Sequence, residues 1–411
     1  KVQLYNRGWS PQLSYLNLSA AFLSKRREGL KKRWEKDRYI CAHYLNLRII
    51  DGKVPEYKYF REEWRPVPSN RPDIKGKSME LTGQKNYIMA PVSFASKSYQ
   101  DFYIYYLDKF MREMTKGSAA PIGLYFDNAA AVTDQNPFNG IGYVDSAGKR
   151  QGELAILPWR EAMKRIYRVT KKYGRKNWIT VHMSGQPYMA YLSFADVLIT
   201  GEQFASYFVM KKAQEKDWPY NYTKMLSLPR MRAEFTPYDW GGETLFLSEI
   251  WNFARKQPKE VTRPAADHLF GICFVNDTMT WGADWAKGRV LAALSKYFPW
   301  NDNVVFHPYW NNQDLISMEK FNKDKIVASL FTNHKNNKYS LMVFAFNDTD
   351  EDVSTGIKLN LPKLHMPEYK NGFLWDPLAD KKFNLREGKG NITIPAFNFR
   401  MLLLKKASGG D

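Results

Sequence analysis

The sequence predicts an α/β protein, and two stretches carry that prediction. Residues 121–128 form an apolar run that ends in Asp-Asn, and residues 195–203 form another that ends in Gly-Glu-Gln. Such runs are typical of parallel strands covered on both faces. From Lys325 onwards, short strand-like runs are instead separated by turn residues. We therefore expect a (β/α)8 TIM-like barrel followed by a small antiparallel β-sandwich domain.

The N-terminal segment is predicted to be less regular than the rest of the barrel. Residues 17–37 carry apolar side chains at helical spacing among many basic ones, which indicates an amphipathic helix. The apolar run at residues 39–46 predicts a strand. Repeated prolines and charges over residues 51–86 predict an irregular excursion.

Strand and helix patterns alternate between residues 87 and 297. Hydroxyls at Ser96 and Ser98 can cap a helix that Gly117 ends. Counting the run at 39–46, the chain offers seven or eight barrel strands. The other predicted strands cover residues 87–92, 121–127, 178–182, 196–200, 225–228, 244–248 and 268–275, and the predicted helices cover 98–115, 158–172, 206–216, 251–258 and 286–297.

The C-terminal part is predicted to be all-β. Its predicted strands cover residues 326–332, 339–347, 357–361, 372–375, 391–394 and 397–404. We place a barrel domain at residues 1–320, whose first strands could be missing upstream, a sandwich domain at 321–406, and a flexible tail at 407–411. Because the chain starts at Lys1 with neither an initiator Met nor a signal peptide, we expect a mature product or a fragment.

Charge and aromatic content favour an acidic glycan as partner. The formal net charge is +19, from 61 Lys and Arg against 42 Asp and Glu, and a positive field attracts anionic ligands. Zinc-finger spacing, an RNA-binding signature and a phosphate-cradling glycine loop are absent from the sequence, so no nucleic-acid partner is expected. Aromatic residues make up 15% of the chain, and sugars stack on aromatic faces. A large aromatic core explains most of them equally well.

The sequence indicates neither a cofactor nor a metal. It contains no nucleotide-binding fingerprint. Asp134, Asn136 and Asp145 follow a predicted strand and could hold calcium, but their spacing fits no EF-hand, and residues 145–148 read more simply as a tight turn. Cys41 and Cys273 lie in apolar runs as core thiols. No apolar run reaches the ~20 residues of a membrane span, and no feature indicates an oligomeric state.

Acidic residues stand at the ends of several predicted strands. Glycosidic bond cleavage needs one group that protonates the leaving oxygen and one that attacks or activates water. A barrel presents such groups from different strand ends at one rim. The candidates are Asp127, Glu202, Glu249 and Asp277. A helix cap or an ion pair explains any single one of them equally well.

Further residues near these strand ends could bind a sugar. Asn128 could orient a hydroxyl or an acetamido group, or cap a turn. His182 could bond a hydroxyl, or be a satisfied core histidine. Gly201 would let the backbone approach a ligand. The aromatic candidates are Tyr125, Trp240, Trp281 and Trp285, for which ordinary packing is the plainer explanation.

Several short motifs occur in a fixed order between residues 85 and 290. They are Gly123-Leu-Tyr-Phe-Asp127-Asn128, Gly142-Tyr143 with Asp145 and Gly148, Arg160-Glu161 with Arg165-Ile-Tyr167, His182-Met-Ser184, and Ser193-Phe-Ala-Asp196 with Gly201-Glu202-Gln203. In this order they resemble bacterial proteins similar to glycoside hydrolase family 123.

That resemblance implies a TIM-like catalytic barrel, preceded by β-rich domains and followed by a small β-domain. It also implies an exo-acting β-N-acetylgalactosaminidase that uses substrate assistance. In that family an adjacent Asp-Glu pair acts, in which the Asp orients the acetamido group and the Glu is the acid. The matching pair in this chain is Asp127-Asn128, so an amide replaces the expected acid.

We therefore expect a glycoside hydrolase in which Asp127 is nucleophile, base or orienting carboxylate and Glu202 is the general acid. The two side chains are expected to open into a common cavity at one rim of the barrel. The substrate would be a polysaccharide or oligosaccharide, and acidic or sulfated glycans suit the charge. The alternative is a non-catalytic glycan-binding protein on a degenerate barrel. A secreted, periplasmic or outer-surface location is expected.

Overall fold

The computed structural model describes residues 20–37, 42–67, 74–77, 86–183, 188–202, 204, 226–235, 242–247, 259–281, 285–336 and 339–407. The chain divides into two compact units, Lys1–Thr200 and Gly201–Asp411. The predicted helices at 206–216 and 251–258, and Cys41, lie outside the described residues.

The first unit alternates strands with helices. Its elements are α1 (Ala20–Asp37), β1 (Ala42–Asn46), β2 (Ile49–Asp51), α2 (Pro55–Trp64), β3 (Ile74–Lys77), β4 (Asn86–Pro91), α3 (Lys97–Thr115), β5 (Gly123–Asp127), β6 (Thr133–Asp134), β7 (Tyr143–Val144), β8 (Arg150–Gln151), β9 (Glu153–Leu154), α4 (Ile156–Lys172), β10 (Trp178–His182), α5 (Met189–Leu192) and β11 (Val197–Thr200).

Four strands of this unit form a parallel sheet in the order β1-β5-β10-β11. Register pairs Asn46 with Asp127, so the carboxyl ends of β1 and β5 are level. Leu124 and Phe126 of β5 are fully buried, as are Ile179 and Val181 of β10. This burial explains the continuous apolar runs in the sequence, because crossover helices must cover such strands. The predicted strands ending in Asp127, His182 and Thr200 are confirmed.

The predicted cap of the helix before β5 is also confirmed. The Ser96 hydroxyl accepts a hydrogen bond from the Tyr99 amide at 3.2 Å. It also donates to Glu63 Oε1 at 2.7 Å, so α2 helps to fix the start of α3. Gly117 follows the helix with φ 65°, a left-handed conformation that glycine adopts without steric cost.

The prediction of an irregular excursion over residues 51–86 is wrong for Pro55–Trp64, which form a helix, and for Ile74–Lys77, which form a strand; residues 68–73 and 78–85 lie outside the described residues. Pro55 occupies the first turn of α2, where its missing N–H costs nothing. Trp64 ends that helix fully buried, with its ring centroid 5.3 Å from that of Tyr99. Strands β2 and β3 flank β4 in an antiparallel sheet. The apolar run at 87–92 is therefore a strand, but not one of the parallel set.

The second unit joins helices to an all-β domain. Its elements are α6 (Leu228–Phe235), β12 (Glu243–Leu247), α7 (Lys259–Phe274), β13 (Met279–Trp281), α8 (Trp285–Tyr297), β14 (Val305–His307), β15 (Ile316–Met318), β16 (Ile326–Thr332), β17 (Leu341–Asn347), β18 (Val353–Leu359), a 3-10 turn (Pro367–Tyr369), β19 (Phe373–Asp376), β20 (Lys381–Asn384), β21 (Lys389–Ile394) and β22 (Asn398–Lys405). Strands β12 and β13 are parallel.

The predicted strand at 268–275 is wrong, because residues 268–274 lie in α7. Of the predicted strand at 225–228, residues 226 and 227 belong to no helix or strand, and Leu228 begins α6. The C-terminal half of helix α7, from His268 onwards, is buried on all sides because one hydrophobic cluster contains both its own residues and those of the adjoining sheet, including Phe270, Phe274 and Phe344. An apolar segment buried on all sides has no amphipathic period, so sequence periodicity cannot separate helix from strand.

The C-terminal β-sandwich is confirmed. One antiparallel sheet has the order β14-β16-β17-β22-β19-β20 and a smaller one has the order β15-β18-β21. Leu330 and Val343 from the first sheet share a core with Ile357 and Ile392 from the second. The opposite face of the larger sheet packs on α7. The domain boundary at residue 320 stays a prediction. Among the described helices, none has the length and apolar character needed to cross a bilayer.

Two helical glycines provide a test of this packing. A Cβ at Gly271 in α7 would lie 2.7 Å from the Phe346 ring, whereas a Cβ at Gly288 in α8 would meet nothing within 4 Å. We expect Gly271→Ala to lower the free energy of unfolding by about 1–3 kcal/mol through overpacking. Gly288→Ala should raise it by about 0.5–1 kcal/mol, the usual helix propensity gain. Urea titrations of both variants measure the difference, and equal effects would contradict the close approach of α7 to the sheet.

Candidate functional site

Asp127 ends β5 at the carboxyl edge of the parallel sheet, and three donors hold its carboxylate. His182 Nδ1, at the end of β10, lies 2.9 Å from Oδ1 and donates, because an ionised carboxylate can only accept. The Asn128 amide donates to the same oxygen at 2.7 Å. The Tyr44 hydroxyl, from β1, donates to Oδ2. Side chains from three strands therefore converge here.

These contacts determine the charge of Asp127. Its side chain is 17% exposed and that of His182 is 7% exposed. Burial raises the pKa of Asp127, but the His182 ring, the Tyr44 hydroxyl and the Asn128 amide together lower the pKa by more, so it lies below its ordinary value. Asp127 is thus ionised at neutral pH. Two carboxylate oxygens accept about four hydrogen bonds, so Oδ2 retains capacity for a further donor.

Aromatic rings pack beside the Asp127 site, two residues nearer the amino ends of β1 and β5. Register pairs Tyr44 with Tyr125, and their rings stack with centroids 5.4 Å apart. Tyr125 and Asp127 share one face of β5 because side chains alternate along a strand. Tyr125 is 5% exposed and its ring centroid lies 6.1 Å from that of His182. Its role here is packing, and direct contact with a substrate stays a prediction.

Asn128 continues the site in an unusual backbone conformation. Its φ is 55°, a left-handed value that asparagine tolerates better than most residues. Arg48 Nη2 donates to its Oδ1 at 2.8 Å, so the amide is oriented by a cation just beyond β1. The Ala129 amide donates to the His182 carbonyl at 2.9 Å, which fixes the start of the next loop to the end of β10. The position that the resemblance assigns to an acid is therefore a fixed neutral amide.

The long loop after Asn128 is anchored to α2 by polar side chains. Asp134 Oδ1 accepts from the Val67 amide at 2.8 Å and from the Asn136 amide at 2.9 Å. Asn136 Nδ2 donates to the carbonyls of Glu62 and Arg65, at 2.6 and 2.7 Å. These two residues, considered for calcium, thus hold the loop in place. Among the described residues, no group of three His, Cys, Asp or Glu side chains is placed to bind a metal ion.

Several of the motif residues have structural roles. Asp196 Oδ2 accepts from the Ile179 amide at 2.8 Å and from Lys171 Nζ at 2.9 Å, so it joins α4 to the start of β10. Asp145 Oδ1 accepts from the Ala147 and Lys149 amides and forms the predicted tight turn. These contacts account for both residues without a catalytic role.

Gly201 and Glu202 directly follow β11 in the chain. Gly201 has φ 120°, and a Cβ there would lie 3.0 Å from the Leu247 carbonyl oxygen. The close approach expected for a ligand is therefore made by β12. Glu202 is half-buried. Its role as general acid stays a prediction.

The premise that placed Asp277 at a carboxyl strand end is wrong. Because residues 268–274 are helical, Asp277 lies in the turn that precedes β13. Leu245 pairs with Met279, so Glu243 and Asp277 are level at the amino ends of β12 and β13. Chemistry in α/β barrels is at the other end of the strands.

The structure describes two of the remaining four candidates. Trp281 is half-buried at the carboxyl end of β13, and Trp285 is the first residue of α8. Glu249 and Trp240 lie outside the described residues. Tyr44 and Arg48 were not among the predicted site residues, because the prediction rested on acids at strand ends and not on the donors that hold them. Their signal was available, since both stand near the end of the predicted strand at 39–46.

Two solved structures show what this fold is similar to. An α-amylase from Anoxybacillus matches with a TM-score of 0.52 and 11% identity, over 93% of this chain and 80% of that chain. An α-amylase from Geobacillus thermoleovorans, complexed with acarbose, matches with a TM-score of 0.52 and 11% identity, over 93% and 81%. The fold is thus a TIM-like barrel followed by an antiparallel β-domain, as predicted. The sequence matches no protein-family model and no curated protein.

Asp277 provides a test of pH-dependent stability. Burial and the nearby Glu243 carboxylate raise the pKa of Asp277 to about 8. The folded chain then holds a proton that the unfolded chain has lost, so stability is fully present below the unfolded pKa of about 3.9 and falls as pH rises towards 8. In Asp277→Asn we expect this fall to flatten, by at most about 1.4 kcal/mol per pH unit.

Urea midpoints between pH 5 and pH 9 measure the effect. Asp380→Asn is the matched control, because Asp380 has φ 48° and Asp277 has φ 58°. Asparagine fits both backbones. Parallel pH profiles for wild type and Asp277→Asn would contradict the raised pKa.

Proposed function

We propose that this protein is a glycoside hydrolase acting on a polysaccharide or oligosaccharide. The observation that carries the proposal is the Asp127 carboxylate, held ionised by His182, Tyr44 and the Asn128 amide at the carboxyl end of a parallel strand. Barrel enzymes keep their reacting groups at such ends. The two α-amylases of similar fold support the reaction class by analogy only.

The charge state of Asp127 limits its role. An acid whose pKa lies below its ordinary value does not donate a proton at neutral pH. Asp127 is therefore nucleophile, general base or orienting carboxylate. A second group must protonate the leaving oxygen. We propose Glu202 for this role, because of its position directly after β11 in the chain.

Asn128 decides between mechanisms. A neutral amide cannot protonate a leaving group, and Arg48 holds its oxygen at 2.8 Å. A substrate-assisted route that takes its acid from this position, as family 123 implies, is therefore not the one we propose. Asn128 and Arg48 instead suit recognition of a sugar hydroxyl or of an anionic substituent.

The substrate is proposed to be an acidic or sulfated glycan. The net charge of +19 favours anionic ligands over neutral ones. A secreted, periplasmic or outer-surface location would give access to such a polymer. A second candidate function is glycan binding without cleavage, and the fixed amide at Asn128 favours it.

Substitution of Asp127 tests catalysis directly. We expect Asp127→Asn to reduce turnover by about 10²–10⁴-fold, because the reacting carboxylate is lost while the shape of the side chain is kept. Glu202→Gln should cause a loss in the same range. Hydrolysis of a panel of acidic and neutral oligosaccharides is the measurement. The matched control is Asp145→Asn, in an exposed turn, which should keep full activity.

The two functions give different outcomes in this experiment. Turnover by wild type, lost in Asp127→Asn, supports the hydrolase. Saturable glycan binding by wild type without turnover of any panel member supports the binding protein and ends the catalytic proposal. Turnover that survives in Asp127→Asn would exclude Asp127 from the reaction.

Tyr44 is proposed to position Asp127 and to keep it ionised. Tyr44→Phe removes a hydrogen bond that lowers the pKa of Asp127, so this pKa should rise. Activity that needs ionised Asp127 is lost as pH falls through its pKa, so the acid limb of kcat/KM should move to higher pH. Tyr99→Phe is the control, because the Tyr99 hydroxyl is buried without a hydrogen-bond partner among the described residues. An unmoved acid limb would show that Tyr44 only packs.

A further inference from the structure

The outer face of the small sheet in the β-sandwich carries an open groove of about 610 Å³. Its floor is formed by β15, β18 and β21, which lie side by side. Side chains alternate along each strand, so Ser317, Lys358, Lys389 and Asn391 point outward into the groove. The volume is in the range of small-ligand sites.

Three cations meet in this groove. Lys358 and Lys389 are direct cross-strand partners, and a bridge pairs Arg386 with Lys389 across the turn before β21. Like charges directly opposite on a sheet repel each other. None of the three side chains has a hydrogen bond or an ion pair within the part of the chain that the structure describes. The arrangement therefore costs free energy unless an anion lies between them.

Neither acid of the groove forms an ion pair with these cations. Glu319 Oε2 accepts from the Gly356 amide at 3.3 Å, and its carboxyl group occupies the space that a side chain at Gly356 would fill. Glu387 Oε1 lies 3.8 Å from Lys370, outside the groove. The lining therefore carries three positive charges against two negative ones, and the cations, which have no ion-pair partner among the described residues, keep the groove net positive.

The lining residues indicate how a ligand would be recognised. The groove has no aromatic side chain on which a base or a neutral sugar could stack. It does have the Ser317 hydroxyl and the Asn391 amide beside the cations, and both can bond sugar hydroxyls. Because the groove is open and its cations are neighbours, it suits a linear polymer that carries repeated negative charges.

We propose that this groove binds an acidic polysaccharide, with its sulfate or carboxylate groups on Lys358, Arg386 and Lys389. The site would be separate from Asp127 and would hold the polymer without cleaving it. Its preference for an acidic glycan rests on the proposed function, but binding is measured independently of turnover.

The test compares two triple variants of the whole chain. The groove variant is Lys358→Gln/Arg386→Gln/Lys389→Gln. The control is Lys323→Gln/Lys325→Gln/Lys381→Gln, which removes the same charge from exposed positions of the same domain outside the groove. The probes are dextran sulfate and polygalacturonate, with neutral dextran as the uncharged comparison. Affinity is measured at several salt concentrations.

We expect wild type to bind at least one acidic probe ten-fold or more tightly than dextran, with affinity falling as salt rises. The groove variant should lose at least ten-fold, and the control less than two-fold. Equal losses in both variants would overturn the proposal, since they would reflect net charge alone. Equal losses of affinity for a DNA oligonucleotide and for the polysaccharide in the groove variant would also overturn it.

Two further measurements separate glycan binding from folding and from catalysis: the Tm of each variant, and binding of the probes by Asp127→Asn. Without a probe, the Tm of the groove variant should equal or exceed that of wild type, because a repulsive pair is removed. The acidic probe should raise the Tm of wild type and not that of the variant. Asp127→Asn should bind the probes like wild type, so loss of the hydrolase proposal would leave this one standing. A probe that raises both Tm values equally contradicts the groove as the binding site.

Discussion

The hydrogen bonds around the Asp127 carboxylate are the interaction on which the rest of the site depends. They require β1, β5 and β10 to lie side by side and parallel, because β5 supplies the carboxylate while the donors come from β1, from β10 and from the residue that follows β5. A shift of one residue in either pairing would turn Tyr44 or His182 to the other face of the sheet. The register of these buried strands therefore determines which donors reach the Asp127 carboxylate, and so keeps that carboxylate ionised.

The sequence predicted best those elements whose local pattern and tertiary environment agree. Strands β5, β10 and β11 are short apolar runs bounded by polar residues. Ser96 stands directly before a helical pattern, where its hydroxyl caps the helix. The prediction failed where burial removed the pattern. Residues 268–274 of helix α7 are buried on all sides, so this part of the helix shows no amphipathic period. Pro55 reads as a turn residue although it begins a helix.

The candidate site was predictable in its acid but not in its partners. A carboxylate at the end of an apolar run can be recognised from the sequence alone. The donors Tyr44 and Arg48 are about 80 residues away and become neighbours of Asp127 and Asn128 only through the pairing of β1 with β5. The roles of Asp196 and Asp277 needed the same information, because the sequence does not indicate which end of the sheet a polar residue occupies.

The burial of α7 against the β-sandwich also bears on how the second unit assembles. One face of the larger sheet is covered by this helix, and His268 Nε2 lies 2.6 Å from Asp348 Oδ1 at the end of β17. Neither partner can bury its aromatic side chains alone. The larger sheet of the sandwich and α7 therefore stabilise each other through one shared core. Truncation before β16 would leave α7 with an uncovered aromatic surface prone to aggregation.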